Sequence, residues 1–436
     1  MNDEIIERFL KNFHEVSEIG ATAAGGVHRQ AATLEDQQTR NWFANFAAAR
    51  DWSLEVDHIG NMFAFVQLVD NPEAEAILVG SHLDSQPYGG RYDGAYGVIA
   101  ALYAAESVQR SVSAGDIVAT HNLLVVNWFN EEGGRFAPSL MGSAVYAGHM
   151  DIDEMLAVKD TDGTTVRHAL EAIDYRTDKP GPKNIAGYAE IHIEQGRILE
   201  REGVQLGVVD SSWYTQKLDI EIVGEQSHTG ATAMADRRDA LVGASHVILE
   251  FQQICDTFPP ETLVSSVGQI TVEPNSPIVV NSRVHLVADL RANDPQTVKD
   301  ARAQLLARFE ELSTALNLEI IAQDFDIRPN RYYPVEGVEL AEKAAADIGE
   351  HVIRMQTKAG HDSVSINTMA PAVMMFVPSA NGVSHCEREF TSDEDMAAGL
   401  RWLIKVIQRM AFGDLDGVSY PGHRDQYEKA QVKETV

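Results

Sequence analysis

The chain has 436 residues, 44% of them apolar and 23% charged, which is enough for a large core and two or more domains. Its formal net charge is −30, which argues against binding to nucleic acid or an anionic membrane, because both need a basic surface. No apolar run reaches the length of a membrane span, so composition and charge predict a folded, acidic protein without those partners.

The first predicted element is an acidic helix over 1–13, with Ile5, Phe9 and Phe13 at helical spacing. This segment lacks the basic and apolar regions of a signal peptide. The two cysteines, Cys255 and Cys386, cannot form a disulfide framework. We therefore expect a cytoplasmic location, where thiols stay reduced.

Strand and helix patterns then alternate up to residue 214. The predicted elements are a strand over 76–80, a helix over 94–110, and strands over 123–129 and 188–193. Unbroken apolar runs such as 123–129 are typical of parallel strands that are covered on both faces. In open α/β sheets, ligands bind beyond the carboxyl ends of the strands, where His82 and Glu131 would lie.

The middle of the chain changes character, because strictly alternating strands replace fully apolar ones. The predicted elements are a strand over 217–223, a helix over 236–258, strands over 263–272 and 278–290, a helix over 295–316 and a strand over 318–324. The order β-α-β-β-α-β is that of a ferredoxin-like domain. We expect this domain to occupy 215–328.

After the insertion, a strand over 372–377 and a helix over 393–410 are predicted, and the tail from about Phe412, with His423, carries no motif. The chain would thus have a catalytic domain in two parts, 1–214 and 329–436, with the insertion between them. The predicted fold class is α/β: a mixed, largely parallel sheet sandwiched by helices, plus an inserted ferredoxin-like α+β lid or dimerisation domain.

Five short stretches, far apart in the chain, offer metal-binding side chains beside glycine or a second polar group. They are GSHLDSQPYGGRYDG (His82, Asp84, Asp93), NEEGGRF (Glu131, Glu132), HIEQG (His192, Gln195), GEQSHTG (His228) and GVSHCE (His385). Together they supply imidazoles, a carboxylate able to bridge, a ligating carboxylate and a spare carboxylate beside it. These groups suffice to hold two divalent metals and activate one water, so a metallohydrolase is the leading hypothesis.

The adjacent pair Glu131 and Glu132 is the most informative of these stretches. Two carboxylates at the end of a buried strand repel each other unless cations neutralise them. One can bind metal while the other acts as a general base. Asp84, two residues after His82, is placed to accept the second ring N–H of that histidine, as partners of metal-ligating histidines do.

Each stretch also has a plainer interpretation. Asp93 is suited to be the N-cap of the helix that starts at Gly94. His192 could be a hydrogen-bonded core histidine, and His228 and His385 could be ordinary surface residues. The metal hypothesis depends on these segments meeting in space.

In combination, the motifs GSHLDSQPYGGRYDG, NEEGGRF, HIEQG, GEQSHTGATAM, ADLRAND and AGHDS closely resemble those of the M20-type metal-dependent amidohydrolases. The similar branch contains N-carbamoyl-L-amino-acid hydrolases, β-ureidopropionase and allantoate amidohydrolase. The match runs from about Gly26 to about Arg401. It implies a catalytic domain, a smaller lid domain that mediates homodimerisation, and closure of the lid over a small carboxylate substrate.

The resemblance also implies two divalent metal ions per subunit, with zinc first and manganese, cobalt or nickel as alternatives. One ion would be held by His82 and His192 and the other by Glu132 and His385, with Asp93 bridging them. Glu131 would be the general base, and Asp84, as the partner of His82, is counted with it among the catalytic residues.

Further roles are implied for the substrate. His228 would polarise the scissile carbonyl, reaching the partner subunit's active site. Asn281 and Arg291 would grip the substrate carboxylate, because the planar fork of arginine matches a carboxylate. A surface salt bridge of Arg291 with a neighbouring aspartate is the alternative.

The remaining pocket residues implied by the resemblance are Gln195, Gly360 and His361. Departures from the family pattern leave the metal set intact and the exact substrate open; they are His28 in GGVHRQA, Lys358 before AGHDS and Ser363 at its end.

The resulting hypothesis is hydrolysis of the ureido C–N bond of an N-carbamoyl L-amino acid or N-carbamoyl-β-alanine, releasing the amino acid, ammonia and carbon dioxide. The alternatives are allantoate amidohydrolase and a related M20 aminoacylase or dipeptidase. A non-catalytic metal-binding regulator is the alternative from a different class.

Overall fold

The structure is a computed structural model that describes residues 3–418 and divides into two compact units. The first unit comprises the described residues up to Asp210 together with those from Tyr332 onwards. The second unit is Ser211–Arg331, whereas the insertion was predicted at 215–328. Residues 419–436, which include His423 and most of the tail noted in the sequence, lie outside the described part.

The first unit begins with alternating helices and strands. Its elements before the insertion are α1 (Asp3–Ser17), α2 (Leu34–Ala48), β1 (Ser53–Val56), β2 (Met62–Val66), β3 (Ala76–His82), α3 (Ala95–Ser113), β4 (Asn122–Trp128), α4 (Met141–Ala147), α5 (Ile152–Ala157), α6 (Val166–Ala172), β5 (Ile185–Ile193), α7 (Ile198–Glu202) and β6 (Leu206–Ser212).

The second unit and the return to the first contain the remaining elements. In the second unit these are β7 (Tyr214–Val223), β8 (Ser227–His228), α8 (Ala240–Ile254), β9 (Leu263–Glu273), β10 (Val279–Val280), β11 (Arg283–Ala292), α9 (Pro295–Leu316) and β12 (Glu319–Arg328). The first unit is completed by α10 (Val335–Asp347), β13 (Val352–Thr357), α11 (Asp362–Ile366), β14 (Ala372–Val377) and α12 (Asp393–Phe412).

The first unit is built on an eight-stranded sheet of order β1-β2-β4-β3-β5-β14-β6-β13. Its central strands β4, β3, β5 and β14 are parallel, and β3, β4 and β14 are buried along their whole length. Side chains alternate between the two faces of a strand. On β5, Glu190 accepts the backbone N–H of Ser363 in α11, while Ile191 lies against Gly399 in α12. Both faces are therefore covered, which explains the unbroken apolar runs in the sequence and confirms the predicted fold class.

The second unit is a four-stranded antiparallel sheet of order β12-β7-β11-β9 with two helices. Leu218, Ile220 and Ile222 of β7 are buried with side chains of α8 and α9, while the alternate residues of β7 are less buried. The strict alternation predicted from the sequence follows from this arrangement, because helices cover one face of the sheet. The strand and helix order is that of the predicted ferredoxin-like domain.

The parallel strands of the first unit deliver the sequence motifs to one edge of its sheet. β3 ends at His82, β4 ends three residues before Glu131, and β5 contains His192. His385 lies in the segment between β14 and α12. Because the carboxyl ends of parallel strands lie at the same edge, these side chains are brought together there.

None of the helices among residues 3–418 is long and apolar enough to cross a membrane.

Candidate metal centre and active site

Asp93 lies at the centre of the cluster formed at this edge. Its Oδ1 is 3.0 Å from Nε2 of His192 and 3.5 Å from Nε2 of His82. Its Oδ2 is 3.5 Å from Nε2 of His385. The two oxygens of one carboxylate therefore face different imidazoles, as a carboxylate that bridges two metal ions must.

Two groups of side chains share Asp93. One is His82, Asp93 and His192, and the other is Asp93, Glu132 and His385; in each group the donor atoms all lie within 4.8 Å of one another. Nε2 of His385 is 3.4 Å from Oε2 of Glu132. Metal–ligand bonds of about 2.0–2.2 Å imply about 3.3–3.6 Å between neighbouring ligand atoms in a tetrahedron. The side chains thus fit two divalent ions.

The imidazoles are held with Nε2 directed at Asp93. Nδ1 of His82 is 3.0 Å from the carbonyl oxygen of Asp84, and Nδ1 of His192 is 2.9 Å from the carbonyl oxygen of Ile193. Such contacts fix the tautomer and the ring orientation of a metal ligand. Nε2 faces Asp93 in both rings and is the atom available to metal; in His192 it also accepts the backbone N–H of Gly94, at 3.0 Å.

The N-cap of α3 is Gly94, with a φ of 62° and no side-chain cap, so Asp93 does not serve as the helix cap. A side chain at position 94 would overlap the imidazole of His82, and the positive φ also favours glycine. This tight turn directs the carboxylate of Asp93 towards the histidines. The metal-ligand interpretation of Asp93 is therefore favoured over the cap.

Asp84 contacts the glutamate loop as well as the histidine for which it was predicted. Its carboxylate accepts hydrogen bonds from the backbone N–H groups of Glu131, at 3.2 Å, and of Glu132, at 3.4 Å. Its Oδ1 is 3.7 Å from Nδ1 of His82, which is nearer to the carbonyl of the same aspartate. Asp84 thus positions the loop that carries the glutamate pair, and the carbonyl orients the histidine.

The two adjacent glutamates have different surroundings. Glu132 accepts hydrogen bonds from Nε2 of Gln86, at 2.9 Å, and from its backbone N–H, at 3.2 Å. Oε2 of Glu131 is 3.5 Å from Nε2 of His82. Both carboxylates are buried. The arrangement gives one glutamate that is oriented as a ligand and a second one beside it.

Burial and mutual repulsion dominate the electrostatics of the cluster. Burial raises the pKa of Glu131 well above its ordinary value against the attraction of His82, and Asp362 and Glu132 add to this rise. Burial also raises the pKa of Asp84 to about 7. Burial would likewise raise the pKa of Asp93, but His192 and His82 lower it well below the ordinary value. So dense a group of carboxylates is a favourable environment for divalent cations.

Several of the predicted pocket residues lie beside the same cluster. Nε2 of Gln195 donates to Oδ2 of Asp93 at 2.7 Å and to the hydroxyl of Ser384 at 3.1 Å. The ring of His361 packs edge-to-face on His192 at 4.7 Å between centroids. Gly360 precedes His361 directly. The structure thus brings Gln195 and the 360–361 segment next to the predicted ligands.

His361 is buried, and its Nε2 has no hydrogen-bond partner among residues 3–418. Burial and the neighbouring His192 lower the pKa of His361 well below its ordinary value, which favours the neutral ring. A neutral imidazole with an unused nitrogen is suited to hydrogen-bond a substrate.

The predicted residues His228, Asn281 and Arg291 belong to the second unit, and none is a member of the two metal-binding groups. His228 is exposed, and its Nδ1 accepts hydrogen bonds from the N–H groups of Gly230, at 3.0 Å, and Ala231, at 3.1 Å. When Nδ1 is an acceptor, the proton of the neutral ring is on Nε2. His228 is therefore prepared to donate a hydrogen bond.

Arg291 forms the salt bridge that the sequence offered as an alternative, with Nη2 2.6 Å from Oδ2 of Asp289. Both residues lie on β11 on the side of the sheet that faces away from the buried core of the unit. Asn281 accepts a hydrogen bond from the backbone N–H of Asn275 at 3.1 Å through Oδ1. Both predicted substrate residues are thus already held by neighbours within the unit.

Sequence reasoning did not assign a role to two buried carboxylates. Asp362 follows His361 in the AGHDS motif, and Glu389 lies four residues after His385. In the sequence, only its closeness to His385 could have drawn attention to Glu389. His28, noted as a departure, packs on Tyr88 at 4.7 Å between ring centroids and lies outside the metal-binding groups.

Comparison with known proteins places the site in a wider context. A family model described as peptidase family M20/M25/M40 matches residues 78–409. A hydrolase of Mycolicibacterium smegmatis, whose name states no substrate, is 47% identical over 420 residues, covering 95% of this chain and 95% of its own length. An N-carbamoyl-L-amino-acid amidohydrolase of Rhizobium meliloti is 33% identical over 410 residues, covering 93% of this chain and 96% of its own.

A similar solved structure is the crystal structure of an amidase of the hydantoinase/carbamoylase family from Burkholderia vietnamiensis. It matches with a TM-score of 0.88 and 33% identity, covering 95% of this chain and 100% of that chain. The likeness therefore extends over nearly the whole of both chains.

Proposed function

Because this chain belongs to peptidase family M20/M25/M40 and is a hydrolase acting on amides, we propose that it hydrolyses the ureido C–N bond of an N-carbamoyl L-amino acid or of N-carbamoyl-β-alanine. One water is consumed, and the products are the free amino acid, ammonia and carbon dioxide. The family predicted from the motifs is confirmed, whereas the substrate is our proposal. It is supported by the named activity of the relative from Rhizobium meliloti.

The observation that carries the proposal is the division of the two Asp93 oxygens between two imidazole groups, with Glu131 beside them. In the proposed site His82 and His192 would hold one divalent ion and Glu132 and His385 the other, and Asp93 would be shared by both. Two such ions, zinc first, with manganese, cobalt or nickel as alternatives, would lower the pKa of water and polarise a carbonyl.

Glu131 acts as the general base in this proposal. Its carboxylate is buried and lies beside the ligands, while the side chain of Gln86 donates to the neighbouring Glu132. It removes a proton from the attacking water and delivers that proton to the leaving nitrogen. Asp84 keeps it in place through the backbone N–H groups of both glutamates.

His228 donates a hydrogen bond from Nε2 to the carbonyl oxygen as negative charge develops there. The support is that Nδ1 is occupied by two backbone N–H groups. As in the family, we assign this contact to the active site of a partner subunit. Asn281 and Arg291 bind the substrate carboxylate, and Gln195, Gly360 and His361 line the pocket.

The proposal also includes a cytoplasmic homodimer that forms through the second unit. Each subunit would bind a small carboxylate substrate. Exposed apolar side chains on α8, namely Leu241, Val242 and Leu249, support an interface there. Light scattering should give a mass about twice the 47.9 kDa of one chain. A mass equal to one chain would contradict the dimer.

The substrate is tested by ammonia release from a panel of N-carbamoyl L-amino acids, N-carbamoyl-β-alanine, allantoate, N-acyl amino acids and dipeptides. We expect the highest kcat/KM for an N-carbamoyl compound. Allantoate as the best substrate would instead support an allantoate amidohydrolase, and product from only acylated amino acids or dipeptides would support an aminoacylase or a dipeptidase.

The same panel, repeated after chelation, separates an enzyme from a metal-binding regulator. Activity should vanish with the chelator and return when zinc or manganese is added. A protein that binds two metal ions but turns over none of the substrates would overturn the proposed function.

A further inference from the structure

Glu389 is a buried carboxylate in the segment between β14 and α12, four residues beyond His385. Its Oε1 accepts hydrogen bonds from the backbone N–H of Tyr92, at 3.0 Å, and of Asp93, at 3.1 Å. The carboxylate therefore grips the main chain of the loop that carries the proposed bridging ligand. No other role for it emerges from the proposed reaction.

The loop is shaped around this carboxylate. A side chain at Gly90 would overlap the carboxylate of Glu389, so residue 90 must be glycine while Glu389 occupies its place. On the same segment as Glu389, the hydroxyl of Ser384 donates to Oδ2 of Asp93 at 2.9 Å. The segment that bears His385 thus holds Asp93 at both its backbone and its side chain.

Asp84 makes a matching contact on the other side of the centre. It accepts the backbone N–H groups of Glu131 and Glu132, two consecutive residues, from a neighbouring loop. Glu389 accepts those of Tyr92 and Asp93, which are also consecutive. In both cases a buried carboxylate outside the ligand set ties one ligand-bearing loop to another.

We propose that Glu389 is a positioning residue that fixes Asp93 relative to His385 and so sets the affinity of the second metal position, formed by Asp93, Glu132 and His385. This inference rests on the proposed two-metal function. Acceptors around a metal site that orient its ligands typically change metal affinity by about 10–100-fold when they are removed. The first position also uses Asp93, but its other ligands, His82 and His192, lie on β3 and β5, whereas the second position takes His385 from the 384–389 segment itself.

The test compares zinc binding by metal-free wild type with that by Glu389→Met, which keeps the length of the side chain and removes both oxygens. Isothermal titration and metal analysis after dialysis give the number of ions and their affinities. We expect two ions in the wild type, and in Glu389→Met one retained site and one weakened by about 10–100-fold. Circular dichroism checks that each variant is folded.

Glu389→Gln is the conservative variant, because its amide oxygen can accept the same two N–H groups. It should bind both ions with nearly wild-type affinity. If Glu389→Met does not fold, Glu389→Asp, which withdraws the acceptor by one methylene, should show the same selective weakening.

Glu387→Met is the matched control on the same segment, since Glu387 accepts from the hydroxyl of Thr22 and not from the ligand loop. It should leave both zinc affinities unchanged. Three results would each overturn the inference. The first is equal weakening of zinc binding in Glu387→Met, and the second is wild-type affinity in folded Glu389→Met and Glu389→Asp. The third is a loss of affinity in Glu389→Gln as large as that in Glu389→Met.

Zinc binding is measured without any substrate. The failure of the proposed function and the failure of the proposal for Glu389 can therefore be told apart. A wild type that binds fewer than two ions would refute the two-metal function. Two ions in the wild type with no effect of Glu389→Met would refute only the role of Glu389.

Discussion

The two units place their charged side chains in opposite environments. In the first unit Asp93, Glu131 and Glu132 are buried beside imidazoles; burial raises the pKa values of the two glutamates, whereas His192 and His82 lower the pKa of Asp93. In the second unit His228 is exposed, and Arg291 is bound to Asp289 on the less buried side of β11. The first arrangement is costly without cations, whereas the second is stable as it stands.

This difference determines how much of the function can be inferred from the charged side chains of each unit. A buried group of carboxylates beside imidazoles is a favourable environment for divalent cations, so it points to a candidate metal site without reference to any relative. Charged residues on an exposed sheet face need no ligand to be stable. Their roles therefore depend on the proposed function, and each prediction below tests one side of this contrast.

The largest effect is expected for Glu131→Gln. The variant keeps the size of the side chain but cannot accept the proton of water, so kcat should fall by about two to four orders of magnitude. Metal analysis should show that both ions are still bound, because Glu131 is outside the ligand set. Turnover at the wild-type rate would remove Glu131 from the mechanism, and loss of metal would make it a ligand instead.

His228→Ala should lower kcat by about two to three orders of magnitude, the usual loss when a donor to a developing oxyanion is removed. Because His228 belongs to the second unit, zinc affinity should not change. His285→Ala, which removes a histidine paired with Asp219 on the sheet of the same unit, is the control and should retain its rate. A higher KM with an unchanged kcat would assign His228 to substrate binding instead of catalysis.

Metal removal should act on the first unit alone. Ligand at about 100 times its dissociation constant stabilises the folded state by about 2.7 kcal/mol. Chelation should therefore speed hydrogen exchange by up to about a hundredfold in peptides from β3, β5 and α3. Peptides from β7 and β11 serve as the internal control and should be unaffected, and equal acceleration in both units would contradict a metal site confined to the first.

The smallest effect is expected for Arg291→Lys. Lysine keeps the charge but loses the bidentate fork, and one hydrogen bond to a charged group contributes about 1.5–3 kcal/mol. KM for the carboxylate substrate should rise by about 10–100-fold with kcat little changed. Arg283→Lys, at the far end of β11, is the matched control. An unchanged KM in Arg291→Lys would leave Arg291 with only its salt bridge to Asp289.

Much of the fold could be predicted because the pattern of burial is written in the sequence. The helix predicted over 295–316 is α9 (Pro295–Leu316), where Asp294 caps the first turn and Pro295 follows it. The predicted helix over 236–258 is shorter, with α8 spanning Ala240–Ile254. Asp239 accepts from Leu241 N–H and sets the start of α8, a local contact that the apolar spacing did not indicate.

The sequence by itself determined the family, the order of the elements and the chemical types of the ligands, because apolar periodicity and short motifs are local properties of the chain. Only the tertiary structure decided how these groups meet. It divided the oxygens of Asp93 between His192 and His385 and bound Asp84 to the glutamate loop. It also brought Glu389 onto the main chain of Asp93. The physical reason is that these contacts join residues tens to hundreds of positions apart, at the shared edge of parallel strands, so no local pattern can encode them.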